Sequence, residues 1–334
     1  MVDLNGASRQ ETTTNPGAVL VTGATGFLGS HIVAELAGAG RAVLAADLTP
    51  APPPVRSLWA DRDQLIDTAV LDVEDASALE ELLASAPVEA VIHAAALTGA
   101  SGATAARLHA VNVVGTQHVL AAAAAARCRR VLLVSSASVY APAPDGAVLN
   151  EAAPKRRTDA YATSKLAAED RVSAARRAGR DVASARVAAC YGPLERVTGS
   201  RFSMSIVHRA VTAARAGRRV RTSSPAATFD LTYVGDSAAT LVRLATAPVL
   251  RWEIYNVSSG IPVSLGELAA TVNRCVGVDS IHTGSAEPFD LTPPPGSRRG
   301  ALDVRRVREI VACTPTGLAD GLSAYLSWLA EHDF

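Results

Sequence analysis

The sequence is poor in several things, and each shortage excludes something. Only 4% of the residues are aromatic although 49% are hydrophobic. Alanine and valine must therefore build most of the core, which suits helices packed closely on a parallel sheet. Neither sign of charge dominates, since 32 Lys and Arg balance 32 Asp and Glu. A neutral chain gives no electrostatic case for nucleic acid or an anionic membrane surface as partner. The basic clusters Arg127, Arg129, Arg130 and Arg215, Arg218, Arg219, Arg221 read as solvated faces and helix C-termini. The 4 cysteines, Cys128, Cys190, Cys275 and Cys313, stand far apart with no C-x-x-C or His/Cys cluster. No metal site is expected from them, and free thiols in a reducing cytoplasm are. No apolar run reaches the roughly 18 residues of a membrane helix. The polar stretch 1–17 lacks the apolar centre of a signal peptide and reads as a disordered tail.

What the sequence does have is concentrated first in residues 18–30, AVLVTGATGFLGS. An apolar run ends at Thr22, and Gly23, Gly26 and Gly29 follow at intervals of three before a segment of helical character. That order predicts a buried strand, a tight turn and a helix N-terminus. Such a turn offers backbone N–H groups and the positive end of a helix dipole to a pyrophosphate. A Cβ at the glycines would obstruct the turn, the phosphate or helix–sheet packing. No Gly-Lys-Ser/Thr follows, so the turn is not a nucleotide-triphosphate loop.

Further apolar runs at 43–46, 69–71, 90–93 and 131–135 alternate with helical stretches near 30–38, 76–85, 105–126 and 161–178. The alternation predicts an α/β fold, a doubly wound parallel (Rossmann) sheet with helices on both faces. Its ligand crevice then lies at the C-terminal ends of the strands. The proline-rich stretch 50–54 reads as a rigid extended loop, and 141–155 as another loop. A further strand is expected at 182–188. Beyond it the pattern loosens, with helices near 201–216, 235–246 and 264–276. The expected division is a nucleotide-binding domain over 18–188 and a smaller substrate-binding lobe over 189–334, with segments returning to the sheet.

Asp47 ends the second strand, eighteen residues after Gly29. A carboxylate there accepts both ribose hydroxyls of an adenosine and repels a 2′-phosphate. With Leu48, Thr49 and Pro50 after it and no arginine adjacent, NAD is expected rather than NADP. Asp72, in LDVED, suits either the adenine amino group or, with Asp75, a helix cap. Tyr161 and Lys165 are four apart, on one face of a helix. Tyrosine, with a pKa of about 10, is a poor base at neutral pH. A nearby ammonium stabilises the phenolate, which makes a proton acceptor for a secondary alcohol. Ser135, Ser136 and Ser138 lie at the end of the fifth strand, where a hydroxyl can hold the substrate oxygen.

These motifs in this order resemble the extended short-chain dehydrogenase/reductases, also called NAD-dependent epimerase/dehydratases. The likeness runs through TGATGFLG (22–29), HAAA (93–96), VNVVGT (111–116), VLLVSSASVY (131–140), YATSK (161–165), YGP (191–193), FDLTYVGDSA (229–238) and YNVSSGIPVSLGEL (255–268). The resemblance implies that Gly23, Gly26, Phe27, Leu28 and Gly29 embrace the pyrophosphate. Asp47 would bind the ribose, and Asp72 with Val73 the adenine. Ala94, Ala95 and Ala96 would line the cofactor, and Tyr191 would pack near the nicotinamide. Ser136 would be the catalytic hydroxyl, Tyr161 the acid/base, and Lys165 the group that holds the nicotinamide ribose and tunes Tyr161. His93 would be cofactor-lining structure rather than a base. Family dimers pair two helices per subunit, which makes 105–126 and 161–178 the candidate homodimer faces.

The departures from the family pattern bear on substrate. Dehydratases carry an acidic pair where this chain has Ala137 and Ser138, so a sugar-nucleotide 4,6-dehydratase is not expected. Nucleotide-sugar members often have Asn at the position of Ala189, Arg at Phe229, and Arg-Pro-Gly-Asp where this chain has Pro294-Pro295-Gly296-Ser297. The expected substrate is therefore a small sugar-like or other hydroxylated molecule, oxidised, reduced or epimerised at a secondary alcohol. Ser136, Ser138, Arg201 and Arg298 are its candidate contacts, with Arg196, Arg209 and Arg299 as further holders of an anionic group. A nucleotide-sugar epimerase with retained NAD is the alternative within the class. A non-catalytic NAD sensor or scaffold is the alternative outside it.

Overall fold

The computed structural model describes residues 17–144, 146–198, 204–278, 287–293, 300–312 and 314–332. The expected tail, together with Arg201, Arg298 and Arg299, lies outside them, Gly17 excepted. The first half runs β1 (Ala18–Thr22), α1 (Phe27–Gly38), β2 (Val43–Asp47), α2 (Pro53–Trp59), β3 (Ile66–Val70), α3 (Ala76–Ser85) and β4 (Val88–His93). Then come α4 (Ala105–His109), a π turn (Ala110–Val114), α5 (Gly115–Ala125), β5 (Arg130–Ser136), β6 (Val148–Leu149), α6 (Ala160–Arg177) and β7 (Val182–Val187). The remainder is β8 (Ala189–Tyr191), α7 (Ile206–Arg215), β9 (Val220–Arg221), β10 (Thr228–Tyr233), α8 (Val234–Thr246), β11 (Ile254–Val257) and β12 (Pro262–Ser264). It closes with α9 (Leu265–Val276), β13 (Phe289–Asp290), β14 (Ala301–Leu302), α10 (Arg305–Arg308) and α11 (Leu318–Glu331).

A seven-stranded sheet orders as β11-β7-β5-β4-β1-β2-β3, and every pair in it is parallel. The order reverses between β1 and β4, which opens the crevice there. Two apolar cores cover its faces. One joins α1 and α8 to β1, β4, β5 and β7, and the other joins α3, α5 and α6 to the opposite face. A third core packs α7, α9 and α11 around β10 and forms the lobe. The three-stranded sheet β12-β10-β8 carries that lobe, and β8 follows β7 with one residue between them.

Three local differences from the sequence expectation have physical causes. Pro53 and Pro54 open α2 instead of extending the loop, because proline's fixed φ and missing N–H are harmless in a first helical turn. β3 lies at 66–70, shifted from the apolar run at 69–71. It is an edge strand with exposed Asp67 and Thr68, so no unbroken apolar run marks it. The helical stretch 105–126 is interrupted by the π turn Ala110–Val114, a device that redirects side chains within a helix.

Candidate active site

The glycine turn joins β1 to α1. Gly23 has φ 70°, and a Cβ on it would meet Ala95 N at 2.6 Å. A Cβ on Gly29 would lie 1.9 Å from Gly23 O, so the helix could not sit this close to the turn. Gly26 caps α1 without a side chain. The first-turn N–H groups are thus offered to a ligand. The cradle fits a dinucleotide pyrophosphate, because the glycines let the turn close on Ala95 and let α1 start against it, with Gly23, Gly26 and Gly29 all lining the cleft.

Asp47 stands beside this turn. Its Oδ2 accepts from Thr25 N at 2.8 Å and Thr25 Oγ1 at 2.7 Å, and its Oδ1 from Leu48 N at 2.8 Å. Each oxygen keeps acceptor capacity for a ribose hydroxyl. Asp47, Thr25, Pro50 and Trp59 line a recess of about 110 Å³. Asp72 Oδ1 accepts from Glu74 N, while Asp75 caps α3 through Ala78 N. Val73 is buried against α5, where a Cβ on Gly115 would meet its Cγ2 at 2.8 Å. Asp72 and Val73 lie outside the residues lining the main cleft.

That cleft, about 400 Å³, is lined by the glycine turn, Ala94, Ala96, Ser136, Ser138, Tyr161, Lys165 and Arg196 among others. α6 starts at Asp159, whose carboxylate accepts from Ala162 N at 2.8 Å, and this fixes where Tyr161 emerges. The ring of Tyr161 packs closely on Gly99, where a Cβ would sit 3.4 Å from it. One turn deeper, Lys165 is buried, and its Nζ donates to Val134 O at 2.9 Å. Burial lowers the ammonium to about 8, with the Glu169 carboxylate pulling it back up. Ser136 ends β5, and its Oγ accepts from Ser138 N at 3.1 Å, which leaves the hydroxyl proton for another acceptor.

Beneath this face lies a polar network that spacing alone does not advertise. Ser135 Oγ donates to Glu169 Oε1 at 2.6 Å. Arg186 Nε and Nη2 donate to the two Glu169 oxygens at 2.9 and 2.6 Å. Arg186 also reaches Tyr140 Oη at 3.1 Å, and Tyr140 donates to Asn256 Oδ1 at 2.6 Å. Burial disfavours the Arg186 cation, but Glu169 more than compensates and its pKa rises. Asn112, buried in the π turn, accepts from Leu97 N at 2.9 Å and donates to Leu97 O at 3.0 Å and Ser164 Oγ at 2.9 Å. It thereby ties the segment after β4 to α6 beside Lys165. Glu169 does carry a sequence signal, its place four residues after Lys165. Arg186 does not, since Glu169 lies 17 residues away, and Asn112 stands out only as part of VNVVGT, with partners 15 and 52 residues away.

His93 is fully enclosed. Thr116 Oγ1 donates to Asn112 O at 2.7 Å, so His93 Nε2 must be the donor to Thr116, at 3.1 Å. Nδ1 then accepts from Thr22 Oγ1 at 2.7 Å. Burial first, and Lys165 second, push the imidazole down to about 3. Both ring nitrogens are thus engaged within the protein, and His93 is not among the residues that line the cleft. Tyr191 is buried in the lobe core in edge contact with Tyr233, and its neighbour Cys190 lines the cleft. Ala95 backs the turn through Gly23, outside the cleft lining. Arg209 packs over Phe289 in the lobe. No group of His, Cys, Asp and Glu suited to a metal ion occurs among the described residues.

A sequence profile of the NAD dependent epimerase/dehydratase family matches residues 19–258. The chain belongs to that family. It is 29% identical over 315 residues to the UDP-glucose 4-epimerase of Mycolicibacterium smegmatis, covering 91% of this chain and 96% of that one. It is 32% identical over 301 residues to the dTDP-4-dehydrorhamnose reductase of Mycobacterium tuberculosis, covering 86% and 85%. Among solved structures, MoeE5 in complex with UDP-glucuronic acid and NAD superposes with TM-score 0.76 at 28% identity, covering 94% and 99%. The family member is thus an NAD-dependent enzyme of the extended short-chain dehydrogenase/reductase type, an oxidoreductase or epimerase. No helix among the described residues is long and apolar enough to cross a membrane.

Proposed function

We propose that this enzyme oxidises a secondary alcohol of a sugar-like substrate at the cleft between β5 and α6, and returns hydride to the resulting ketone. The observation that carries the reading is that the glycine turn, Ser136, Tyr161 and Lys165 line one cavity. Bound NAD supplies the hydride acceptor and donor. Tyr161 takes the hydroxyl proton, and Ser136 donates to the same oxygen as it becomes a carbonyl. Lys165, held on Val134 O, keeps a positive charge beside the phenol and lowers its pKa. Asp47 takes the adenosine ribose and excludes a 2′-phosphate. Returning that hydride to the opposite face of the same ketone gives an epimer and restores NAD, whereas a reductase takes NADH and a ketone from solution and releases NAD and the alcohol.

A neighbouring recess of about 130 Å³ shares Ser136, Ser138 and Ala189 with the cleft and ends on Phe229 and Asp230. Phe229 and Ala189 there are non-basic, which favours a compact hydroxylated substrate. The relatives named above favour the second reading, a nucleotide sugar. A panel of free sugars, sugar phosphates, UDP-sugars and dTDP-sugars with NAD decides. Absorbance of reduced nicotinamide marks net oxidation, and stereochemical exchange without it marks epimerisation. Failure of every panel member to react, with NAD bound, overturns the reading in favour of a sensor.

We further propose that the enzyme is a cytoplasmic homodimer. Exposed Ala121 and Ala125 on α5 leave room for close helix pairing, while the exposed side of α6 mixes Thr163 and Ala174 with the charged Asp170 and Arg171. Light scattering of the purified protein tests it, and a monomer at micromolar concentration contradicts it.

A further inference from the structure

A strap over residues 193–196 crosses from the end of β8 toward α7, and it is pinned at each step. Pro193 O accepts from His31 Nε2 on α1 at 2.9 Å. Leu194 is fully buried in the main core at φ 65°, a conformation uncommon for a residue with a Cβ. Glu195 is fully buried, and its carboxylate accepts from Ser205 N at 2.7 Å and Ser205 Oγ at 2.9 Å, at the start of α7. The strap therefore has one shape, and that shape points Arg196 back across the glycine turn. Arg196 Nη2 donates to Thr25 O at 3.0 Å and Nη1 to Leu194 O at 3.2 Å.

Two features of this arginine lack an explanation within the protein. It is half-buried and lines the main cleft opposite Gly23, Gly26 and Gly29. Yet among the described residues it forms no ion pair within 4.0 Å, although Asp47 is near enough to be felt electrostatically. A partly desolvated cation without a counter-ion is unfavourable unless an anion arrives. Guanidinium has five N–H donors, and the two carbonyls take two. The neighbouring cradle is built for a dianionic pyrophosphate, whose charge the glycine turn meets only with backbone dipoles.

We propose that Arg196 clamps the NAD pyrophosphate from the substrate-lobe side, so that the strap is a latch retaining the cofactor between catalytic events. Thr25 couples the two halves of the hold. Its carbonyl receives Arg196 while its N–H and hydroxyl organise Asp47 for the ribose. Cofactor exchange then requires the Arg196 contact to break, which favours a reaction that regenerates its cofactor in place.

The test uses the full chain, freed of nucleotide, with NAD, ADP and adenosine as calorimetric probes at several salt concentrations. Arg196→Ala weakens NAD and ADP by roughly 10- to 100-fold and leaves adenosine within twofold, since the lost contact is a charged hydrogen bond to phosphate. The salt dependence of NAD binding becomes shallower, and NAD release in a chase speeds up by a similar factor. Arg196→Gln, which keeps size without charge, gives the same pattern where the alanine variant folds poorly. Unchanged NAD and ADP affinity with a raised KM for substrate overturns the proposal and assigns Arg196 to a substrate anion. Equal loss for adenosine also overturns it, as collapse of the strap. Wild-type protein that fails to bind NAD refutes the cofactor assignment instead.

Discussion

Glu169 and Arg186 form a buried bidentate pair, 2.6 and 2.9 Å, one helical turn beyond Lys165. Neither lines the cleft, but the pair sits under both elements that bring Ser136, Tyr161 and Lys165 to it. Ser135 binds Glu169 from β5, and Glu169 shares a face of α6 with Lys165. The pair therefore has consequences for stability and for the charge of Lys165, and the two separate experimentally.

Removing one partner strands the other. Glu169→Ala leaves the Arg186 cation enclosed, and the expected loss is about 3–5 kcal/mol of unfolding free energy. The double variant Glu169→Met, Arg186→Leu is expected to recover most of it, since no charge is left buried. Denaturant titration of the three proteins checks this. A double variant as unstable as Glu169→Ala would show that the network specifies shape rather than neutralising charge.

The charge of Lys165 sets a pH limit. Its folded pKa, about 8, lies below the usual lysine value of 10.5. Above about pH 8 the ammonium that supports Tyr161 is lost, so kcat/KM falls as pH rises through that value. Glu169 raises this pKa, so Glu169→Gln moves the falling limb to lower pH. Stability has the opposite slope. Between about 8 and 10.5 the unfolded chain binds more protons at this group, so its contribution to stability increases with pH. A pH profile flat to pH 10 contradicts the tuning role.

Gly29→Ala is expected to abolish tight NAD binding. Its Cβ would sit 1.9 Å from Gly23 O, so α1 or the turn must shift, at about 1–3 kcal/mol for overpacking. A thermal melt and an NAD titration read the two effects separately. Wild-type affinity in this variant would mean that the turn is not the pyrophosphate cradle.

Asp47→Asn removes the negative charge proposed to hold the adenosine ribose but keeps the hydrogen bonds to Thr25 largely possible. NAD binding weakens by roughly tenfold, the size of one charged hydrogen bond. NADP binding changes little or improves, so the ratio between them narrows. An unchanged ratio would place the discrimination elsewhere.

Much of this was legible along the chain because the signals are local. The glycine spacing, Asp47 at a strand end and the i, i+4 pair Tyr161 and Lys165 each report on a single turn of structure. The parallel sheet follows from alternation. What stayed illegible depends on distant partners. Asn112 works through Leu97 and Ser164 only because the π turn presents it to both. Arg196 reaches Thr25 across 171 residues. β11, seventh in the large sheet, pairs with β7 from well inside the second half of the chain. α11 carries none of the motifs above, yet its Leu322 and Tyr325 complete the lobe core. The prolines at 53–54 misled because their turn preference and their first-helical-turn preference share one φ.

In the proposed mechanism Tyr161 moves the substrate proton while NAD is bound beside it. Tyr161→Phe tests this most directly, because it removes one oxygen and leaves the ring against Gly99. The measurement pairs single-turnover kinetics on the reactive substrate with an NAD titration of the same protein. Turnover falls by about 100-fold or more, the scale of a lost general acid/base, while NAD affinity stays within about twofold. Turnover at the wild-type rate with NAD bound would contradict the account.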